Sequence, residues 1–314
     1  MNVLVTGGAG FIGSHLVERL LEEGRTVTVI DNLDDGYDPA IKRRNFASIA
    51  PHVRFVEGDI RDSEAVKRAL EGVEVVAHLA ARAGVRPSLE DPSTYIDINI
   101  QGTQSLLDGM HQRGVSRIVY ASSSSVYGAR HDGPFRETDS LAPVSPYAAT
   151  KLAGELLCHA AVRNRGLQAT CLRLFTVYGP RQRPEMAIHL FVRRALAAEA
   201  IHRFGTGLSR RDYTFVSDIV GGMTAAIERP RDWGVYNIGN GHPITLNELL
   251  EAISEVFDVE LLVESAPDQL GDVPITWADV SKAREELGYS PQTSLRSGLV
   301  AFREWVESTR VAQG

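Results

Sequence analysis

The segment VLVTGGAGFIG, residues 3–13, leaves a chain like this little freedom in how it folds. A short apolar strand runs into Gly7, Gly10 and Gly13, and an amphipathic helical pattern follows at 13–23. Glycines at that junction permit a tight turn. They also let backbone N–H groups approach a pyrophosphate, whose charge the helix N-terminus favours. A bare strand-to-helix turn would use the same glycines. Asp31, however, ends the next apolar run, 18 residues beyond Gly13. A carboxylate there can accept hydrogen bonds from adenosine ribose hydroxyls. The segment is therefore expected to open a dinucleotide-binding unit.

The first half repeats the alternation. TVTVI, VRFVEG, VEVVAHLA, SRIVYASS and LQATCLRLF read as strands that are apolar on both faces, with helical patterns at 62–71, 97–113 and 145–165. Such βαβ repetition implies a parallel sheet covered by helices on both sides. The expected fold is α/β: a Rossmann-type doubly wound parallel sheet over 1–175, joined by part of 212–240. A smaller C-terminal α/β substrate domain is expected over 176–314, packed on the C-terminal edge of the sheet. Helices are expected there near 188–198, 217–228, 245–257, 279–287 and 294–307.

A length of 314 residues suits one large domain or two closely packed ones. The formal charge of −7 argues against nucleic acid or an anionic membrane as partner, so an anionic ligand must meet a local basic site. Cys158 and Cys171 are the two cysteines, which points to a reducing cytoplasm rather than a disulfide scaffold. Met1 leads almost directly into a strand with no signal-like segment, and no apolar run approaches membrane-spanning length. The nine histidines form no recognisable metal-ligand spacing, and no metal is expected. His78, in a strand, reads as a packed core residue.

PYAATK places Tyr147 and Lys151 four residues apart, on one face of a helix opened by Pro146. A phenol titrates near pH ~10, too high for a base at neutrality. A lysine ammonium one turn away, with an oxidised nicotinamide, favours the phenolate and makes Tyr147 a candidate base. Just upstream, YASSSSVYG at 120–128 sets four hydroxyls in a row where a buried strand should be ending.

With these motifs the chain resembles the extended short-chain dehydrogenase/reductase family, and within it the nucleotide-sugar epimerases. The resemblance runs through TGGAGFIG, the pair Asp31–Asn32, GDIRD, HLAA, SSSSVYG, YAATK, RLFTVYGPRQRP and RDYTFVSDIV, nearly the whole length. It implies Ser123, Tyr147 and Lys151 as the catalytic group. It also implies an NAD site of Gly7, Gly10, Phe11, Ile12, Gly13, Asp31 and Asn32, with Asp59 and Ile60 at the adenine. Leu79, Ala80 and Ala81 would line the pyrophosphate and nicotinamide, beside Ser122, Tyr147, Lys151 and Phe175, with Asn99 supporting that region. Arg211 matches an arginine that grips the substrate diphosphate. Arg82 departs from the pattern, since an uncharged residue is expected after HLAA.

Related enzymes begin by oxidising carbon 4 of a hexose and diverge afterwards. Dehydratases carry an Asp-Glu pair after the catalytic threonine, and decarboxylases a glutamate in the same segment; here those positions are Ser124 and Ser125. Epimerisation of a UDP-sugar is therefore implied. Segments such as AGVRPSLEDPSTYIDINIQGT, FTVYGPRQRPEMAIHLF and QLGDVPITWAD resemble UDP-glucuronate 4-epimerases. They imply substrate contacts from Arg86, Ser88, Ser124, Ser125, Thr176, Arg183, Met186, Arg211, Gln269 and Asp272. The rivals are a 4-epimerase of neutral UDP-sugars, a UDP-glucuronate decarboxylase and a non-catalytic NAD-binding sensor. A homodimer through 97–113 and 145–165 is implied as well. Because the Asp31 carboxylate repels a 2′-phosphate, titration should show NADP binding much more weakly than NAD; comparable dissociation constants would refute the assignment.

Overall fold

The computed structural model describes residues 1–267 and 273–311. Seven strands form its main sheet: β1 (Asn2–Thr6), β2 (Thr26–Asp31), β3 (Arg54–Glu57), β4 (Val75–His78), β5 (Arg117–Ser123), β6 (Gln168–Leu174) and an edge strand, Trp233–Ile238. The order is edge strand, β6, β5, β4, β1, β2, β3, and every neighbouring pair is parallel. This is the doubly wound α/β arrangement, with its order reversing between β1 and β4. Ligands of such sheets bind outside the strands' carboxyl ends at that reversal.

Side chains alternate across each strand, so both faces of a doubly covered sheet must be apolar. Val3, Val5, Val27 and Val29 pack with Leu16, Val17 and Leu20 of α1 (Phe11–Glu22) and with Ile219 and Met223 of helix Val216–Glu228. On the opposite face Leu4, Ile30, Val76 and Ile118 meet Val66, Leu106, Met110 and Cys158 of helices Ser63–Ala69, Gly102–Arg113 and Pro146–Arg165. A third cluster joins helices Ala187–Leu196, Leu246–Phe257 and Leu295–Val311 through Ile188, Phe191, Leu249, Ile253, Leu299 and Phe302. Residues 216–238 return to the sheet as a helix on α1 and the edge strand beside β6.

Three short helices carry no strong sequence pattern: Pro39–Ala47, Val85–Glu90 and Pro92–Ile96. Caps rather than apolar periodicity set two of them. Asp38 accepts from the Ala40 N–H at 2.9 Å and Asp91 from the Thr94 N–H at 3.3 Å, each followed by proline. The helix expected at 97–113 starts as a π-turn over Asp97–Gln101. No helix among the described residues is long and apolar enough to cross a membrane.

Helix Pro146–Arg165 is placed with particular care. Ser145 caps it by accepting from the Ala148 N–H at 3.1 Å, Pro146 supplies its first turn, and Gly166 ends it with φ of 66°. Two turns in, the Glu155 carboxylate meets Arg173 of β6 in a bidentate pair, Nε to Oε1 at 3.0 Å and Nη2 to Oε2 at 2.8 Å. Both side chains are 4% exposed, and Ser122 of β5 donates to the same carboxylate. The remaining Arg173 Nη1 donates to the Tyr127 hydroxyl at 3.0 Å, which donates in turn to Asn237 Oδ1 at 2.7 Å. Removing one member of a buried pair leaves an uncompensated charge, so Glu155→Gln should lower unfolding free energy by about 3–5 kcal/mol. Urea unfolding measures this; a loss under about 1 kcal/mol would put the pair among screened surface bridges.

Candidate active site

The carboxyl ends of β1, β2, β4, β5 and β6 open into one cleft of about 650 Å³. At its floor the chain turns from β1 into α1, and only glycine fits. Gly7 has φ of 72°, and a Cβ there would lie 2.9 Å from Ala80 backbone; at Gly13 it would lie 2.1 Å from the Gly7 carbonyl oxygen. The first intrahelical bond of α1 runs from the Ser14 N–H to the Gly10 carbonyl, and no side chain caps the helix. The N–H groups of Phe11, Ile12 and Gly13 therefore point out of the helix end, a cradle suited to a pyrophosphate.

Asp31 borders this turn with its carboxylate accepting from the Ala9 N–H at 3.0 Å and the Leu33 N–H at 2.9 Å, so it also holds the glycine turn against the end of β2. Burial pushes its carboxyl up, against the pull of those N–H groups and of Lys42. Asn32, Asp59, Ile60, Leu79, Ala80, Ala81 and Phe175 line the same cleft. The residues present fit a dinucleotide.

Toward the other end stand Ser123, Tyr147 and Lys151. Ser123 ends β5 and caps a 3-10 turn, Ser124–Tyr127, accepting from the Ser125 N–H at 3.2 Å and the Ser125 hydroxyl at 2.9 Å. It stands in the same cleft as the Tyr147 phenol. Burial pushes that phenol up, opposed by Ser123 and by the Arg183 guanidinium. Lys151 Nζ donates to the Ala121 carbonyl at 2.8 Å, and burial alone brings its pKa down to about 8. The serines divide in role: Ser122 borders the cleft but its hydroxyl turns to Glu155, while Ser123, Ser124 and Ser125 line the cleft with Thr176.

Arg86, Arg183, Met186 and Arg211 line the cleft as well. Arg183 donates to the Ala83 carbonyl at 3.3 Å and pairs with Glu185 at 3.2 Å, while the Arg86 guanidinium lies 5.4 Å from the Phe204 ring centroid. Among the described residues the lining holds six cations (Lys42, Arg82, Arg86, Lys151, Arg183, Arg211) against four carboxylates, Asp31, Asp34, Asp59 and Glu185. A chain of net charge −7 thus concentrates positive charge where an anion would sit.

Two of the expected residues lie outside the cleft lining. Ser88 is not brought to the cleft: it is fully buried on the inner face of helix Val85–Glu90, its hydroxyl donating to the Val85 carbonyl at 2.5 Å. Asn99 is also buried away from the lining and acts through the 79–84 loop, holding the Arg82 N–H at 2.8 Å and the Arg82 carbonyl at 3.0 Å. Gln269 and Asp272 lie outside the described residues. Asp34, Tyr37, Lys42, Val144, Glu185 and Thr276 line the cleft without having been singled out from sequence: Lys42 sits on the short helix Pro39–Ala47 and the others on loops whose path no local pattern discloses. His78 is enclosed between Thr6, 2.7 Å from Nδ1, and Thr103, 3.0 Å from Nε2. Burial brings its pKa down to about 3, so it stays neutral.

Residues 3–239 match the NAD dependent epimerase/dehydratase family. The chain is 41% identical over 308 residues to a UDP-glucuronate 4-epimerase of Thermodesulfobacterium geofontis, covering 96% of this chain and 95% of that protein. Its structure is similar to the Bacillus cereus UDP-glucuronic acid 4-epimerase in complex with UDP-glucuronic acid and NAD, with a TM-score of 0.93 at 35% identity, over 98% of this chain and 100% of that one. It is also similar to the Thermotoga maritima UDP-glucose 4-epimerase with UDP-glucose, with a TM-score of 0.92 at 36% identity, over 99% of this chain and 100% of that one. A glycine cradle at the sheet reversal, a Ser–Tyr–Lys group at the far end of one cleft and a match spanning both agree, and the chain belongs to the NAD dependent epimerase/dehydratase family, within the extended short-chain dehydrogenase/reductases.

Proposed function

We propose that this protein is an NAD-dependent UDP-sugar 4-epimerase that converts UDP-glucuronate to UDP-galacturonate. The observation that carries the reading is the cleft end itself. Ser123, Tyr147 and Lys151 come together there in one cleft, with Ser124 and Ser125 standing where elimination would need carboxylates. NAD would be held by the glycine turn and Asp31, and when bound would supply the hydride acceptor for carbon 4 and then the hydride donor for the opposite face of the rotated sugar. Ser123 orients the carbon 4 hydroxyl, and Tyr147 takes its proton as the carbonyl forms, then gives it back. Lys151, fixed by the Ala121 carbonyl, holds positive charge on the same helix face and favours the phenolate. Arg183, which already pulls the phenol down, adds to that field. Arg211 and Arg86 meet the anionic parts of the substrate.

A homodimer belongs to the same proposal. Its support is two exposed apolar side chains, Leu156 at 61% on helix Pro146–Arg165 and Ile96 at 52% on helix Pro92–Ile96.

Oxidation at carbon 4 turns glucuronate into a β-keto acid, which loses carbon dioxide when its carboxylate bond aligns with the carbonyl π-system. An epimerase must hold the carboxylate out of that alignment without a nearby acid to repel it. Short neutral donors at a rigid strand end suit this task. Ser124 and Thr176 line the cleft, and Ser125 can join them by turning from Ser123. Each charge-assisted bond is worth about 1.5–3 kcal/mol, enough to favour one rotamer strongly. An NMR time course with UDP-glucuronate, with and without added NAD, tests the activity, and preference for UDP-glucose would favour a neutral-sugar epimerase.

Tyr147→Phe removes only the phenolic oxygen, so NAD binding should persist while turnover falls about 100- to 10,000-fold. Near-normal epimerisation by that variant would show the base to be elsewhere. Ser124→Ala and Thr176→Ala should weaken use of UDP-glucuronate and raise the share of pentose or 4-keto pentose product. Normal epimerisation by both, with no decarboxylated product, would remove the serine run from carboxylate control.

A further inference from the structure

Arg82 joins two loops that the sheet order sets on either side of the glycine turn. β1 lies between β2 and β4, so the 32–38 loop after β2 and the 79–84 loop after β4 flank the turn after β1. From the second loop, Arg82 Nη1 reaches Asp34 Oδ2 at 3.1 Å and Asp35 Oδ1 at 3.8 Å on the first. Its backbone is gripped on both sides by Asn99. Its tip lies so close to Gly36 that a Cβ there would be 2.6 Å from Nη1. On the facing loop, Asp34 is held by Lys42 Nζ at 2.6 Å and by the Gly36 N–H at 3.1 Å. Asp34, Gly36, Tyr37, Lys42 and Arg82 all line the cleft that contains the glycine cradle. The ion pair therefore connects two walls of the dinucleotide site instead of decorating an outer surface.

We propose that Arg82 is a cofactor-retaining residue: its ion pair with Asp34 and Asp35 straps the 32–38 loop to the 79–84 loop, and bound NAD leaves only when this pair opens. The inference rests on NAD occupying the cleft and goes beyond it by naming the contact that governs exchange. Arg82 and Asp34 side chains are 28% and 26% exposed, so salt reaches the pair and screens it. A different role is chemically open to the same guanidinium, namely direct binding of the NAD diphosphate. The two roles make opposite demands on Asp34. As a strap partner it slows release of NAD. As a mere competitor for the guanidinium it speeds release, because freeing Arg82 and Lys42 would strengthen their hold on phosphate.

The test measures NAD release directly. Wild-type protein is first titrated with NAD; failure to bind would overturn the cofactor reading itself, separately from the strap. NAD-loaded wild type, Arg82→Gln, Asp34→Asn and the double variant are then mixed with excess NAD-consuming enzyme, and the release rate is followed. The strap predicts release about three- to tenfold faster in each single variant, with the double variant no faster than the faster single one. Raising ionic strength should accelerate the wild type toward the Arg82→Gln rate and leave Arg82→Gln unchanged. Wild-type release from Arg82→Gln overturns the proposal. So does fast release from Arg82→Gln with unchanged or slower release from Asp34→Asn, which assigns Arg82 to the diphosphate. Should Arg82→Gln fail to fold, Asp34→Asn carries the same distinction alone.

Discussion

The bidentate pair between Glu155 and Arg173 holds the rest of the site in place. Helix Pro146–Arg165 carries Tyr147 and Lys151 near its start and Glu155 in its middle. Anchoring the middle to β6, and through Ser122 to β5, fixes the height and rotation at which the first turn meets the end of β5. Ser123 belongs to that same strand end, so a single buried network sets the distance between the hydroxyl and the phenol. Two charges removed from water are costly, and here both Glu155 oxygens and all three Arg173 nitrogens are hydrogen-bonded. The network extends through Tyr127 to Asn237 on the edge strand. The edge strand, the last element to join the main sheet in sequence, is thereby tied to the same pair.

Around that anchor the cleft divides its chemistry by charge and burial. The glycine turn offers backbone N–H groups and the end of a helix to a diphosphate, and the acids at Asp31 and Asp59 stand beside it. The far end is neutral hydroxyls and cations, with Glu185 paired to Arg183. Burial pushes the Tyr147 phenol up and the Lys151 ammonium down, each toward its neutral form. The Ser123 hydroxyl and the Arg183 guanidinium work the other way on the phenol. Ionisation of this phenol thus depends on charge brought beside it, which is the usual condition for tuning an acid or base.

His78 shows how the polar interior supports the same architecture without entering the chemistry. The Thr103 hydroxyl donates to the Asn99 carbonyl, so it accepts from His78 Nε2, and Nδ1 accepts from Thr6. The Thr6 oxygen accepts from the N–H groups of Leu79 and Ala80 in turn. One neutral imidazole therefore joins β1, β4 and the loop that borders the glycine turn.

What the sequence determined by itself was local. Strand, turn and helix at residues 3–22, the one-turn spacing of Tyr147 and Lys151, the Ser145–Pro146 helix start and the absence of carboxylates at Ser124 and Ser125 depend on neighbours in the chain. Period and residue type disclose such features. Tertiary structure decided what joins residues far apart: Glu155 with Arg173, Ser122 with Glu155, Asp34 with Arg82, and the return of Trp233–Ile238 to the sheet edge. It also decided which face of a short helix Ser88 occupies, since six residues of Val85–Glu90 carry too little periodicity to tell inside from outside. An ionic side chain can meet any opposite charge its loop brings near. Its partner is set by the folded path of both loops, and no spacing in the sequence records that path.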